Sequence, residues 1–182
     1  HMVIADAEMA VALAGVMGGA ETEVSASTKT CLLESAHFMP HSVRRTRKEV
    51  GLQTEASYRF ERHVDPAGVV AALNRFDELY REITGLASLP GVIQAVNGGL
   101  ESTPVTVKMS RARRLLALDV PTEEAAAILK RLGMEAAVND DDSITATPPS
   151  WRTDILREDD LTEEIGRIFG YEKFGEVLPQ GT

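Results

Sequence analysis

The sequence predicts an α+β fold in two units. Helical patterns with clear start and stop residues alternate with short apolar strands. A stretch rich in Gly, Ser and Pro, residues 86–103, predicts a boundary or an irregular crossover between an earlier and a later set of elements. With 182 residues, 43% of them hydrophobic, the chain can bury a real core in one or two domains.

Composition narrows the function classes. The chain has 19 basic and 28 acidic residues and a formal charge of -9, so any contact with nucleic acid must come from a local basic patch. Cys31 is the only cysteine, which excludes an internal disulfide framework and a cysteine-rich zinc site, and we expect a buried structural thiol.

Residues 9–20 are too short and too rich in glycine to span a bilayer, so we expect a cytoplasmic protein with no membrane contact. His1-Met2 is typical of a cloning scar and suggests an excised piece of a longer protein.

The first unit opens with a strand over residues 9–14 that runs into a glycine turn, residues 15–19. This glycine spacing is not that of a phosphate-binding loop, and a tight turn is the simpler interpretation. Residues 28–35 predict a second strand that contains Cys31. Glu34 follows its apolar centre, and the residue type alone favours a surface or salt-bridge role.

Three further segments complete the first unit. Pro40 opens a helix to Val50, and its basic side chains are either a solvated face or contacts to phosphate. These are Arg44, Arg45, Arg47 and Lys48. Residues 52–62 follow neither the helical nor the strand period. Asp65 then caps a helix that ends at Gly85. The apolar side chains on one face of this helix predict that the face is buried in the core. This apolar stripe consists of Val69, Leu73, Phe76, Tyr80 and Ile83.

The second unit begins with a strand over residues 105–109. Ser110 and Thr122 are the expected N-caps of two helices, which end at Leu116 and Leu132. Residues 134–138 and 143–147 predict a hairpin over an Asn- and Asp-rich turn. With a third helix from Glu158 to Gly170, this order resembles a winged helix in outline.

The third helix has an apolar side and an acidic side. Leu161, Ile165, Ile168 and Phe169 share one face. Asp160, Glu163 and Glu164 share another, and Arg152 and Asp154 lie just before the helix. Carboxylates this close repel one another, so a hard cation, an Arg-rich partner or water must compensate them.

Five segments together resemble the beta subunit of bacterial phenylalanyl-tRNA synthetases. They are A-G-V-M-G-G (14–19), L-L-E-S-A-H-F (32–38), R-R-T-R-K-E-V-G-L-Q-T-E-A-S-Y-R-F-E-R-H-V-D-P (44–66), P-P-S-W-R-T-D-I (148–155) and E-D-D-L-T-E-E-I-G-R-I-F-G-Y (158–171). The resemblance divides the chain into a cloning scar (1–2), the C-terminal part of the B3/B4 editing domain, a mixed sheet with helices (3–102), and a small winged-helix-like B5 domain (103–182). His63 stands where glycine is usual in the family.

The resemblance implies a part of a larger enzyme. In the family the alpha subunit joins phenylalanine to tRNA(Phe) with ATP, and two alpha-beta pairs form a heterotetramer. We therefore expect no aminoacylation residues here, ATP only through the alpha subunit, and the alpha subunit, tRNA(Phe) and a second beta subunit as partners. The B3/B4 domain hydrolyses tyrosine wrongly attached to the tRNA, because a pocket that admits Phe excludes Tyr only imperfectly.

The resemblance also implies two sets of site residues. The editing pocket maps onto Gly15, Gly18, Glu34, Thr54 and Ala56, and since family pockets add residues from further upstream, we expect little or no editing by this chain alone. Magnesium ligands shared with the alpha subunit map onto Asp154, Asp160, Glu163 and Glu164. In isolation we expect weak magnesium binding or none. The alternative for these carboxylates is a polar subunit interface paired to arginines.

Two other function classes remain open. One is a non-catalytic nucleic-acid-binding module, favoured by Arg111, Arg113 and Arg114 in the winged-helix-like unit but opposed by its acidic third helix. The other is a free-standing hydrolase of mischarged tRNA.

Overall fold

The computed structural model describes residues 1–88, 90–98 and 102–173. The chain divides into two compact units, His1–Gly99 and Leu100–Thr182, and has the predicted α+β composition. The predicted crossover lies partly outside the described residues, and so do the last nine residues of the predicted B5 domain, 174–182.

The sheet of the first unit consists of three short antiparallel strands in the order β1-β2-β3. They are β1 (Val3–Ala5), β2 (Ala10–Leu13) and β3 (Met17–Gly18). The predicted strand over residues 9–14 is confirmed as β2. Gly15 has φ of 69°, a conformation that glycine adopts at no steric cost, and turns the chain from β2 into β3.

The predicted strand over residues 28–35 is wrong. This segment has no regular structure, Cys31 is exposed, and Leu32 keeps 90% of its surface accessible. A strand needs a neighbour to bond its backbone N–H and C=O groups. No strand among the described residues pairs with this segment, so its apolar composition alone does not form one.

Helix α1 (Pro40–Val50) is confirmed, with Pro in its first turn and Gly51 at φ of 72° after its last. Helix α2 (Glu55–Phe60) occupies part of the stretch whose period was ambiguous. A capping box starts it: the Thr54 hydroxyl accepts from the Ser57 amide at 3.0 Å, and the Ser57 hydroxyl accepts from the Thr54 amide at 2.9 Å.

Helix α3 (Gly68–Thr84) begins three residues after Asp65, whose carboxylate accepts instead from the Ala67 amide at 2.9 Å. The core assignment of its apolar stripe is wrong, because none of its described side chains is fully buried. Phe76 is 48% exposed and Ile83 is 80% exposed. The helical period identifies an apolar face, but whether that face is covered depends on the surrounding fold.

The second unit has a three-stranded antiparallel sheet, order β4-β6-β5, covered by three helices. In chain order the elements are β4 (Val105–Lys108), α4 (Met109–Leu116), α5 (Thr122–Arg131), β5 (Glu135–Asn139), β6 (Ser143–Thr147) and α6 (Glu158–Phe169). The predicted hairpin and acidic helix are confirmed. The core includes the fully buried side chains of Val107, Met109, Ile144, Leu161 and Ile165.

Both predicted N-caps of the second unit are wrong. Helix α4 starts at Met109 directly after the strand, which puts Ser110 inside its first turn. Helix α5 starts at Thr122 itself, after Pro121. The Thr122 hydroxyl instead donates to Asp142 and accepts from Arg113 Nη2 at 2.7 Å, so it joins the helix to the hairpin turn.

Candidate functional site

The glycine turn and the start of α2 lie together. The Thr54 hydroxyl donates to the carbonyl oxygen of Val16 at 2.7 Å across 38 residues of sequence. The same hydroxyl oxygen caps α2 by accepting from the Ser57 amide. A hydroxyl has one proton and two lone pairs, so one lone pair remains for a further donor.

The glycines of this turn have different surroundings. A Cβ on Gly15 would lie 3.0 Å from the Phe38 ring and 3.1 Å from Val43, so its backbone is packed beneath side chains. A Cβ on Gly18 would have nothing within 4 Å, so that backbone faces open space. A Cβ on Gly19 would lie 2.7 Å from the Val11 carbonyl oxygen, which makes Gly19 a structural requirement of the hairpin. The glycine spacing of residues 15–19 indicated a turn, but it did not distinguish Gly19 from the other two glycines.

The other two predicted pocket residues, Glu34 and Ala56, both lie at the surface. Ala56 is exposed on α2, and Glu34 is exposed on the irregular segment before α1. Among the described residues no hydrogen bond or ion pair joins Glu34 to the glycine turn or to Thr54. The structure therefore bonds Thr54 to the glycine turn, while Glu34 remains exposed with no such bond.

The predicted basic cluster on α1 is divided between two environments. Arg47 donates to Glu61 at 2.6 Å, and Arg62 donates to the other oxygen of the same carboxylate at 2.8 Å. Glu61 is 7% exposed. Burial would raise the pKa of Glu61, but the charges of Arg47, Arg62 and Arg44 outweigh burial and lower it. Arg44, Arg45 and Lys48 are exposed.

Arg152 organises the acidic cluster of the second unit. Its guanidinium donates to both oxygens of Asp154, at 2.8 and 2.7 Å, and to Glu164 at 2.9 Å. Arg167 donates to the second oxygen of Glu164. The hydrogen bond to Asp154 and the charges of both carboxylates raise the pKa of Arg152, and the same bond lowers the pKa of Asp154.

The remaining carboxylates of the predicted magnesium set have other surroundings. Asp160 accepts from the amides of Leu156 and Arg157, both at 2.8 Å, and so closes the first turn of α6. Glu163 is exposed. In residues 1–88, 90–98 and 102–173, no group of three or more His, Cys, Asp or Glu side chains is arranged to hold a metal ion. The chain's own donors do not fit magnesium, because Arg152 already binds the oxygens of Asp154 and Glu164.

Two of the three arginines that favour a nucleic-acid-binding module are neutralised. Arg111 pairs with Glu158 at 3.1 Å and with Asp159. Arg113 pairs with Asp142 at 2.7 Å and donates to the Val120 carbonyl at 2.9 Å. Only Arg114 of these three is exposed without an ion pair to a described residue.

Family patterns match both units. Residues 1–85 match the B3/4 domain, and residues 105–171 match the tRNA synthetase B5 domain. The chain is 44% identical over 178 residues to the phenylalanine-tRNA ligase beta subunit of Anaeromyxobacter dehalogenans strain 2CP-C, covering 98% of this chain and 22% of that protein. It is 40% identical over 180 residues to the beta subunit of Bacillus subtilis strain 168, covering 99% of this chain and 22% of that protein. The chain belongs to the phenylalanine-tRNA ligase beta-subunit family.

The chain spans only 21% of the length of a third relative, the phenylalanine-tRNA ligase beta subunit of Salinibacter ruber strain DSM 13855 / M31, at 41% identity over 175 residues. Its two matched domains follow one another in the order expected from the resemblance. Among its described residues, no helix has both the length and the apolar composition needed to cross a membrane.

Proposed function

We propose that the chain is the editing and B5 segment of the beta subunit of a cytoplasmic phenylalanine-tRNA ligase. The whole enzyme joins phenylalanine to tRNA(Phe) with ATP bound through the alpha subunit, and the beta subunit releases tyrosine wrongly attached to that tRNA. The single observation that carries the editing role is the Thr54–Val16 hydrogen bond, which holds the open backbone of the glycine turn beside a hydroxyl.

The pocket chemistry follows from these groups. The open backbone at Gly18 admits a phenol ring. The remaining lone pair of Thr54 accepts a hydrogen bond from a water molecule and orients that water toward the ester carbonyl. Glu34, carried on the irregular segment, accepts a hydrogen bond from the phenol OH. Phenylalanine has no phenol OH, so its binding would leave the acceptor without a partner. A site built around the hydrogen bond to the tyrosine OH therefore discriminates strongly against phenylalanine.

Release of tyrosine from Tyr-tRNA(Phe) by the assembled enzyme tests the editing role. Thr54→Ser keeps a hydroxyl and is expected to keep the release, whereas Thr54→Val removes the cap and the water acceptor and is expected to lose it. Phe-tRNA(Phe) is the matched substrate control and should remain intact. Absence of tyrosine release by the wild-type enzyme would overturn the assignment, and release by this chain alone would favour a free-standing hydrolase.

For the acidic cluster we propose contact with the alpha subunit. Two large apolar side chains flank the Arg152 ion-pair group: Trp151 is 61% exposed and Leu156 is 72% exposed. Exposed aromatic and aliphatic side chains beside paired charges are typical of subunit interfaces. Magnesium and ATP belong to the assembled enzyme in this proposal, in which the exposed carboxylates of Asp154 and Glu163 face the partner.

Trp151 provides a direct test, since it is the only tryptophan of the chain. The chain labelled with 5-fluorotryptophan should show a changed fluorine resonance when the alpha subunit is added. Leu156→Ser should weaken this binding, and Val138→Ser, at an exposed residue on β5, is the control. An unchanged resonance in a complex that forms by another criterion would contradict this surface.

The nucleic-acid-binding alternative is less well supported, because Arg111 and Arg113 are committed to carboxylates. Tight binding of duplex DNA that weakens steeply with salt would favour it over the proposal made here.

A further inference from the structure

A cavity of about 370 Å³ opens between the start of α1 and the residues just after α2. It is lined by Pro40, His41, Arg44, Glu61, Arg62 and His63. Its volume lies at the lower end of the range for small-ligand sites. These residues come from two sequence segments about twenty residues apart, and only the fold brings them together.

The cavity has a surplus of positive charge. Among the described residues, its charged lining consists of two arginines, Arg44 and Arg62, and one carboxylate, Glu61, which is also bonded to Arg47 from outside the cavity. One carboxylate cannot balance three guanidinium groups. Such a local excess of positive charge attracts anions even in a chain with a formal charge of -9.

Buried Glu61 positions Arg62 at the cavity. Arg62 donates through Nη1 to Glu61 at 2.8 Å and to the Tyr58 carbonyl at 2.9 Å, and its guanidinium lies 3.8 Å from the centre of the Tyr58 ring. Within the described part of the chain, these bonds use only Nη1, so Nε and Nη2 keep their donors. A guanidinium held in this way loses little freedom when it binds an oxyanion.

Arg44 differs from Arg47 of the same helix. Arg44 lines the cavity, is exposed, and makes no ion pair with a described residue. Its full set of donors is available to a ligand. Arg47, in contrast, is bonded to Glu61.

His63 adds an unusual backbone conformation. Its φ of 71° is one that residues other than glycine rarely adopt, and it lies directly after the Glu61–Arg62 pair. Strain of this kind persists where the surrounding structure holds it, and it is frequent at binding sites. His63 and His41 both line the cavity, and each histidine ring carries at least one N–H donor.

We propose that this cavity, formed by Arg44, Arg62, His41 and His63, binds a phosphate group of an RNA backbone. Guanidinium groups bind phosphate oxygens in a bidentate manner, and several N–H donors around one concave site match a tetrahedral oxyanion. The choice of RNA rests on the proposed function, in which a tRNA is the substrate. The anion chemistry itself rests only on the cavity.

Titration with inorganic phosphate tests the cavity independently of the proposed function. Nitrogen-edited NMR of arginine side chains follows Arg44 and Arg62 while chloride keeps the ionic strength constant. Arg44→Gln and Arg62→Gln are each expected to lower the phosphate affinity about tenfold, the loss of charge-assisted hydrogen bonds. Arg45→Gln is the matched control, because Arg45 is the exposed neighbour on the same helix and does not line the cavity. Equal effects of Arg44→Gln and Arg45→Gln would overturn the site.

A binding experiment with tRNA(Phe) and the assembled enzyme tests whether the phosphate bound in the cavity comes from RNA. Arg44→Gln should weaken tRNA binding and reduce the slope of log affinity against log salt by about one, whereas Arg45→Gln should leave that slope unchanged. Phosphate binding without any effect of Arg44→Gln on tRNA would overturn the RNA assignment. Failure of the proposed function is seen separately, as an enzyme that binds tRNA but releases no tyrosine.

Discussion

Arg152 holds together the most highly charged part of the second unit. It is bonded to Asp154 and to the nearly buried Glu164, and its own side chain is 19% exposed. When the charge of Arg152 is removed, Arg167 is the one remaining ion-pair partner of Glu164 among the described residues. We expect Arg152→Gln to lower the free energy of unfolding by about 1–3 kcal/mol, the cost of an under-compensated buried carboxylate.

Urea unfolding followed by Trp151 fluorescence measures this change. Arg114→Gln is the control, since Arg114 is exposed and forms no ion pair with a described residue. Equal stability of both variants would mean that the Arg152 ion pairs contribute nothing.

The same cluster predicts a pH dependence. Burial would raise the pKa of Glu164, but Arg167 and Arg152 outweigh it and hold the pKa below its ordinary value of 4.5. The folded carboxylate therefore binds protons less readily than the unfolded one. Its stabilising contribution is present above about pH 4.5 and is lost as the pH falls through the folded pKa.

The stability difference between wild type and Arg152→Gln should accordingly shrink as the pH is lowered from 6 toward 3, in urea titrations at each pH. A difference that stays constant over this range would show that charge is not the cause of the destabilisation.

Among individual residues, the sequence identified the basic cluster on α1. It did not show which of the basic side chains form ion pairs and which remain exposed. Arg44 and Arg47 are three residues apart on one helix and cannot be distinguished by pattern. Only the fold brings Glu61 within 2.6 Å of Arg47 and leaves Arg44 beside His63. The magnesium and editing assignments of individual residues stay predictions, since they came from the resemblance.

At the scale of elements, the β2–β3 hairpin allows a sharp test. Gly19 has φ of -80°, which alanine also adopts, so only the 2.7 Å approach of a Cβ to the Val11 carbonyl opposes substitution. We expect Gly19→Ala to destabilise the hairpin by about 1–3 kcal/mol, because the backbone has to shift. Gly18→Ala, with open space around the new Cβ, should not destabilise it.

Native-state hydrogen exchange of the hairpin amides measures both variants. The Val16 amide, which donates to the Leu13 carbonyl across the turn at 2.9 Å, is a suitable reporter. Equal protection of the hairpin amides in the two variants would show that contact between the new Cβ and the Val11 carbonyl does not destabilise the hairpin.

Elements with local start and stop signals were predictable. Pro40 and Gly51 delimit α1, and Gly170 follows α6, as the sequence indicated. Helix α2 was missed because its capping box carries Ser57 where Glu or Gln is usual. The strand predicted around Cys31 failed because pairing depends on a neighbour far away in the sequence.

At the scale of the whole molecule, the two units differ in their cores. Among the described residues, the buried apolar side chains of the first unit are Ala14, Val16 and Val43, while all the others belong to the second unit. Burial of apolar surface is the dominant favourable contribution to folding. We therefore expect the amides of β4, β6 and α6 to exchange far more slowly than those of α1 and α3, in native-state hydrogen exchange followed by mass spectrometry. Uniform protection across both units would contradict this difference.

The proposed editing role requires that the glycine turn and Thr54 form part of a pocket that releases tyrosine from tRNA. Gly18→Ala is the sharpest test, because the new Cβ has open space around it and would meet only a ligand bound in the proposed pocket. In the assembled enzyme we predict that Gly18→Ala lowers the rate of tyrosine release from Tyr-tRNA(Phe) about tenfold, which corresponds to about 1.4 kcal/mol of lost transition-state stabilisation. Charging of tRNA(Phe) with phenylalanine should stay unchanged. Unaltered tyrosine release, or an equal loss of charging, would contradict the claim.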